Sequence, residues 1–194
     1  MGGKNQQVNM PSEKEWGVGG NPRDLVHYQE FQRAYKLLRQ EMLEKWERCV
    51  PLNDLMTDRW EKAQFLGFGK GTSVYDSCLI LGDVQVGENT WIGPFTVLDG
   101  SGGLKIGSYC SISAGVQIYT HDSIQWALSG GKEKNVRSPT KIESRCYIGP
   151  NTIIGKGLTI GAACIIGANS LVTQNVPSGM KTYGNPARII SQTG

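Results

Sequence analysis

The sequence predicts a mainly β chain wound as a parallel β-helix, with an α-helical segment before it and one loop ejected from it. Ile142, Ile148, Ile154, Ile160, Ile166 and Val172 recur at a strict six-residue step, a period that neither an α-helix nor an alternating strand produces. Four positions after each stands a second residue, usually smaller: Cys146, Thr152, Leu158, Cys164, Ser170 and Val176. Each hexad reads as one short strand plus a turn, and three hexads close a triangular coil with both residues facing inward. Gly149, Gly155, Gly161 and Gly167 directly follow four of the aliphatics and are expected to ease a corner of unusual φ.

Upstream, Val74, Ile80, Val86, Ile92 and Leu98 keep the same step until two extra residues, within Asp99 to Gly103, shift it to Ile106, Ile112 and Ile118. The pattern then lapses and resumes at Ile142, a gap of 24 residues and so a multiple of six. The gap holds His121-Asp122-Ser123-Ile124-Gln125-Trp126, then Ser129-Gly130-Gly131 and the charged Lys132-Glu133-Lys134. An ejected loop at about 121–140 is predicted, and loops on rigid scaffolds are where sites tend to sit.

Residues 1–20 are polar and glycine-bearing and read as a flexible tail, with Trp16 as an anchor. Within 21–72, Asn21-Pro22 suits an N-cap followed by proline in the first helical turn, and Asp24 suits the helix dipole. Leu25, Tyr28, Phe31, Tyr35, Leu38, Met42, Trp46 and Cys49 then step by three or four, an apolar stripe on a helix of about seven turns ending before Pro51. That stripe either packs against the β-helix or a neighbouring subunit, or walls an acceptor site. Residues 52–72 read as a mixed connector; Gly67, Gly69 and Gly71 resemble a phosphate loop only superficially, since a β hexad and not a helix follows. The coil spans 73–176. Pro177 breaks its register, and 177–194 read as a C-terminal cap.

A hydrophobic content of 39% excludes disorder. The net charge of +3 suits an anionic ligand such as a phosphorylated cofactor, and is too small to argue for nucleic acid. Cys78, Cys110, Cys146 and Cys164 all fall four after an aliphatic, at the small interior position, so they read as core residues in a reducing compartment rather than as a disulfide framework. No apolar run approaches the ~18 residues of a membrane span, and Met1 to Met10 lack the apolar region of a signal peptide. A cytoplasmic protein is expected. The chain has 2 histidines, His27 beside the helical stripe and His121 at the mouth of the loop.

From about residue 70 to 190 the chain resembles the hexapeptide-repeat acyltransferases, the group of galactoside, maltose, xenobiotic and serine acetyltransferases and enzymes that acetylate bacterial surface sugars. The hexads carry the resemblance, with Val116-Gln117-Ile118-Tyr119-Thr120-His121-Asp122 entering the loop and the ending Gly184-Asn185-Pro186-Ala187-Arg188. It implies a left-handed coil, a homotrimer with active sites between subunits, and transfer of acetyl from acetyl-CoA to a sugar hydroxyl, without a metal. A sugar hydroxyl is a poor nucleophile near neutral pH and needs a base, for which histidine, with a reference pKa near 6.5, is suited; His121 falls where the family places it. By position, Ala168 and Thr173 line the pantetheine groove and Arg188 matches an arginine near the adenosine phosphates. Lys181 is a further cation at that end. Where related enzymes carry a serine near the thioester this chain has Pro150, and Gly93-Pro94 offers no asparagine for the oxyanion, so the amides of Gly149 and Asn151 are the substitutes considered. Gln174 replaces a lysine of the galactoside enzymes.

The acceptor side is read from the loop. Asp99, at the inserted pair, bulges toward the acceptor or simply forms a turn. Asp122 fills a small interior position, orients the imidazole or meets the acceptor. Trp126 stacks on a sugar, covers the pantetheine arm or packs on the coil. A saccharide destined for a bacterial surface polysaccharide is the expected acceptor. The alternatives are N-acetylation of a nucleotide-linked amino sugar and a non-catalytic β-helix scaffold. A zinc site of the carbonic-anhydrase-like β-helix trimers lacks its histidines here.

Overall fold

The computed structural model describes residues 22–193. The tail at 1–20, with Trp16, and the cap at Asn21 lie outside the described residues. Two compact units divide the chain, residues 1–50 and 51–194. In the first, helix α1 (Pro22–Trp46) runs for 25 residues, about seven turns. It stops short of the end of the apolar stripe. Glu47 turns to a left-handed φ of 53° while its N–H still donates to the Leu43 carbonyl at 2.9 Å, a left-handed helix cap, so Cys49 lies beyond the helix.

The second unit is a parallel β-helix with three faces. Ser73–Val74, Trp91–Ile92, Ser111–Ile112, Tyr147–Ile148, Ile165–Ile166 and Met180–Tyr183 stack as the first face. Gln117–Ile118, Ile153–Ile154 and Leu171–Val172 stack on the start of the long strand Val97–Ile106 as the second. Thr140–Ile142 and Thr159–Ile160 stack on its end as the third. The predicted aliphatics fill the interior: Ile118, Ile148, Ile154, Ile160 and Ile166 are all 0% exposed. Each such burial stabilises by about 1.5–3 kcal/mol.

The second interior residue does more than fill space. Cys78 Sγ donates to the Gly93 carbonyl at 3.0 Å, Cys146 Sγ to Gly161 at 3.1 Å and Thr152 Oγ1 to Gly167 at 3.0 Å. Each is a bond to the next coil, at the residue following its aliphatic. Threonine, serine and cysteine recur here because they are small and carry a donor. Burial pushes the Cys78 thiol up, which keeps its proton for that bond.

The glycines after the aliphatics have a different cause from the one the hexads suggest. Gly149, Gly155, Gly161 and Gly167 do not take left-handed angles; those fall two residues later, at Asn151, Gly157, Ala163 and Asn169, with φ of 57°, 75°, 56° and 55°. At Gly149 and Gly167 it is close approach that excludes a side chain. A Cβ on Gly149 stands 2.5 Å from the Ala168 nitrogen, and one on Gly167 2.6 Å from Tyr183 Cβ. Gly155 is looser, its nearest neighbour 3.6 Å away. Gly149→Ala therefore destabilises by about 1–3 kcal/mol and Gly155→Ala by under about 1 kcal/mol, read by urea denaturation; equal losses refute the close-approach account.

Two coils depart from constant length. Ile80 pairs with Leu98, 18 residues on, but Val84 pairs with Leu104, 20 on, so the inserted pair lies within 101–103. Leu104, 1% exposed, thus joins the interior unannounced by the six-residue count. Ile160 meets Val176, 16 residues on, so this last coil is two short and Val176 sits at the aliphatic position rather than the small one. Across the ejected loop Ile118 pairs with Ile154, 36 residues on and twice the usual 18. The loop thus replaces one coil's length, which preserves the phase.

The ends are closed by elements the hexads do not announce. The connector forms α2 (Leu52–Met56) and α3 (Arg59–Phe65), and Asp58 caps α3 by accepting from the Trp60 and Glu61 amides at 2.8 and 3.0 Å. Leu55, Ala63 and Phe68 are buried, Ala63 and Phe68 in the cluster that holds Val74. At the other end Met180–Tyr183 and Arg188–Gln192 form an antiparallel hairpin.

Candidate active site

The site begins at Leu98. Because Leu98 pairs with Ile118, the inserted stretch after Leu98 lies beside the loop entry after Ile118. Asp99 is 0% exposed and surrounded by donors. The Ser101 amide donates to Oδ1 at 3.0 Å, an Asx turn, and the Thr120 amide to Oδ2 at 2.8 Å. The Thr120 hydroxyl bonds the Asp99 carbonyl at 2.8 Å and accepts from the Gly102 amide at 2.8 Å. His121 Nδ1 lies 2.7 Å from Asp99 Oδ2.

Burial alone raises the Asp99 pKa, but the bonds from Ser101, Thr120 and His121 outweigh it and hold the carboxyl well below the usual carboxylate range. An ionised Asp99 accepts only, so Nδ1 carries the proton and Nε2 is left as the basic nitrogen. Of the two readings of Asp99, the turn is the one the contacts display: the side chain points inward, makes the turn through Ser101 and meets the imidazole.

His121–Asp122 pairs antiparallel with Val136–Arg137 as the two stems of the loop. Helix α4 (Ile124–Leu128) sits between them. Asp122 is not interior, because the chain leaves the coil before reaching that position. Its Oδ1 accepts from the Ile124 amide at 3.1 Å and its Oδ2 faces Lys156 Nζ at 2.8 Å. The Lys156 hydrogen bond, then that of Ile124, holds its carboxyl below the ordinary value. Asp99, not Asp122, meets the imidazole.

Tyr119, His121, Asp122, Gly155, Lys156, Leu158 and Thr173 line a cleft of about 430 Å³. His121 and Thr173 are thus brought together. Gln174 and Arg188 line a smaller cavity of about 190 Å³ with Val172, next in sequence to Thr173. The Arg188 guanidinium donates to its neighbour's carbonyl at 3.0 Å and is exposed. Gly149 and Ala168 lie elsewhere in the chain, past Ile148 and Ile166 of the first face, and Lys181 is on that face opposite Ile165. Trp126 stands exposed on α4, outside the residues that line the cleft. The oxyanion donors considered from sequence are both taken. The Gly149 amide donates to Ile166 at 2.8 Å and the Asn151 amide to Ala114 at 3.0 Å, because coil stacking uses them. Among the described residues no cluster of three or more His, Cys, Asp or Glu could hold a metal ion, and no helix is long and apolar enough to cross a membrane.

Sequence reasoning missed two parts of this arrangement. The Asp99–His121 contact was traceable by stacking Leu98 under Ile118 across the insertion. Lys156 stands two residues past Ile154 as Thr120 stands two past Ile118, so the same register set it beside the loop entry, but the spacing did not show that the Asp122 side chain turns to it.

Residues 139–174 match the family model described as bacterial transferase hexapeptide (six repeats). Over 65 residues the chain is 38% identical to the 2,3,4,5-tetrahydropyridine-2,6-dicarboxylate N-acetyltransferase of Staphylococcus aureus, which takes in 34% of this chain and 27% of that protein. The chain thus spans about a quarter of the length of the curated relatives it matches. A hexapeptide-repeat-containing acetyltransferase from Vibrio cholerae, solved with acetyl-CoA, superposes with a TM-score of 0.58 at 26% identity, covering 86% of this chain and 88% of that one. AntD, an N-acyltransferase from Bacillus cereus solved with dTDP and 3-hydroxybutyryl-CoA, shares the fold with a TM-score of 0.60 at 21% identity over 66% of this chain and 72% of its own.

Proposed function

We propose that this hexapeptide-repeat protein is an acetyltransferase that moves acetyl from acetyl-CoA to a saccharide hydroxyl, with His121 as general base. The observation that carries the reading is the imidazole lining a cleft with Nδ1 held 2.7 Å from a buried carboxylate. Such a pair fixes the tautomer, presents Nε2 as base and stabilises the imidazolium once it forms. Nε2 takes the acceptor's proton as its oxygen attacks the thioester carbon. The tetrahedral intermediate then collapses, the carbon–sulfur bond breaks, and the thiolate takes the proton back from His121. Support for a thioester donor comes from the Vibrio acetyltransferase, whose structure holds acetyl-CoA.

Thr173 and Arg188 are the proposed contacts for the pantetheine arm and the phosphates, with Ala168, Gly149 and Lys181 along the first face. Gly149 and Ala168 are past a different face from His121, so a donor lying along them needs the base of a neighbouring copy, as in the homotrimer with sites between subunits that the resemblance implies, whereas a donor lying along Thr173 meets His121 of its own chain. The reading entails a cytoplasmic enzyme serving surface-polysaccharide synthesis. An amine acceptor is the second reading, favoured by the local match to an N-acetyltransferase.

Calorimetric titration with acetyl-CoA, followed by thiol release with methyl galactoside, glucosamine and N-acetylneuraminic acid, tests the assignment. Saturable binding with transfer to hydroxyls supports it, transfer confined to glucosamine nitrogen selects the second reading, and absence of binding returns the protein to the scaffold class. Arg188→Ala weakens acetyl-CoA binding about tenfold or more through loss of a charge-assisted phosphate contact; unchanged affinity in the same titration refutes that contact.

A further inference from the structure

Acyl transfer needs a donor for the negative charge that develops on the thioester oxygen, and the two backbone amides first considered are engaged in coil stacking. Of the cleft's other donors three are spent, and the Thr173 hydroxyl is a neutral group already assigned to the pantetheine arm. The Tyr119 hydroxyl donates to Gln117 Oε1 at 2.8 Å, the Gly155 amide to the Val172 carbonyl at 3.1 Å, and His121 Nδ1 to Asp99. Lys156 differs. Its ammonium has three N–H donors, and the Asp122 carboxylate at 2.8 Å engages one. The side chain is 29% exposed, and the lysine lines the same cleft as His121. Among the described residues that line it, Lys156 carries the one permanent positive charge.

We propose that Lys156 is the electrophilic donor of the site, its ammonium stabilising the oxyanion of the tetrahedral intermediate while Asp122 holds it in place. The assignment rests on the acetyltransferase reading and supplies the part that reading lacks. As the acceptor oxygen bonds to the carbonyl carbon and its proton passes to His121 Nε2, the carbonyl π pair moves onto oxygen. An N–H of Lys156 donates to that oxygen until the pair returns and the carbon–sulfur bond breaks. In the resting site the Lys156–Asp122 pair is neutral, so the ammonium is held without an uncompensated charge. A cation held at a partly buried surface is worth more to a transient anion than one in bulk water.

Coenzyme A thiol release from acetyl-CoA, with methyl galactoside and with water alone as acceptor, is the assay. Lys156→Met lowers kcat by about 10²–10³, the usual cost of one oxyanion donor, with acetyl-CoA affinity by calorimetry within twofold of the parent. Lys156→Ala regains part of the rate with added ethylammonium, and Asp122→Asn, which keeps the lysine, loses less than about tenfold. Lys156→Met within fivefold of the parent overturns the assignment. So does an Asp122→Asn loss as large as that of Lys156→Met with no rescue by amine, which makes the lysine a strut for the loop. If His121→Ala is inactive while Lys156→Met is not, the lysine assignment alone falls; if His121→Ala keeps parental turnover, the acetyltransferase mechanism falls with it.

Discussion

His121→Ala lowers kcat by at least about 10², within the range of 10²–10⁴ that a positioned general base supplies, and leaves acetyl-CoA affinity near that of the parent. The separation follows from where the ring sits. Its one described bond is to Asp99, and of the residues proposed to hold the donor only Thr173 lines the cleft with it, while Arg188, Lys181, Ala168 and Gly149 do not. Folding survives because Asp99 keeps its bonds from Ser101 and Thr120, so the buried carboxylate is not orphaned. Single-turnover thiol release measures the chemical step, and calorimetry the affinity. Added imidazole restores part of the rate if the missing group is a base. Parental turnover in the variant removes His121 from the chemistry.

The β-helix was legible because its interior is periodic. Ile142 to Val172 stand one per face in each coil, two on every face, and a strict step in sequence becomes a strict stack in space. Where coil length changes the count misleads: Leu104 enters the interior and Val176 shifts position because two residues are gained at 101–103 and two lost after Ile160. The glycine error has another origin. Composition shows that a side chain is absent but not whether the backbone angle or the coil above requires it, and at Gly149 it is the coil. The candidate base was legible because the chain has 2 histidines, whereas its partner was hidden by the insertion itself. Asp99 reads as a turn former, and it is one through Ser101; only the register that sets Leu98 against Ile118 reveals its other oxygen beneath the imidazole.

Asp99→Asn is the variant in which site and fold meet. An amide offers one acceptor and one donor group where the carboxylate offers two acceptors. Three donors converge here: the Ser101 amide, the Thr120 amide and His121 Nδ1. With its oxygen toward the Ser101 amide the asparagine puts its NH2 where Oδ2 faced both the Thr120 amide and the imidazole, so it presents N–H to the ring and leaves the Thr120 amide facing a donor. That favours the tautomer with the proton on Nε2, which cannot serve as base, and turnover falls by about 10²–10⁴. With the opposite orientation a backbone donor is left buried and unpaired, at about 1–3 kcal/mol. Since the folded carboxyl is held below its ordinary value of 3.8, the parent's extra stability is complete above that value and is lost as pH falls toward the folded pKa. Urea denaturation from pH 7 down to pH 3 therefore shows a smaller stability loss in Asp99→Asn than in the parent. Equal acid sensitivity, or turnover within tenfold of the parent, refutes the role given to this carboxylate.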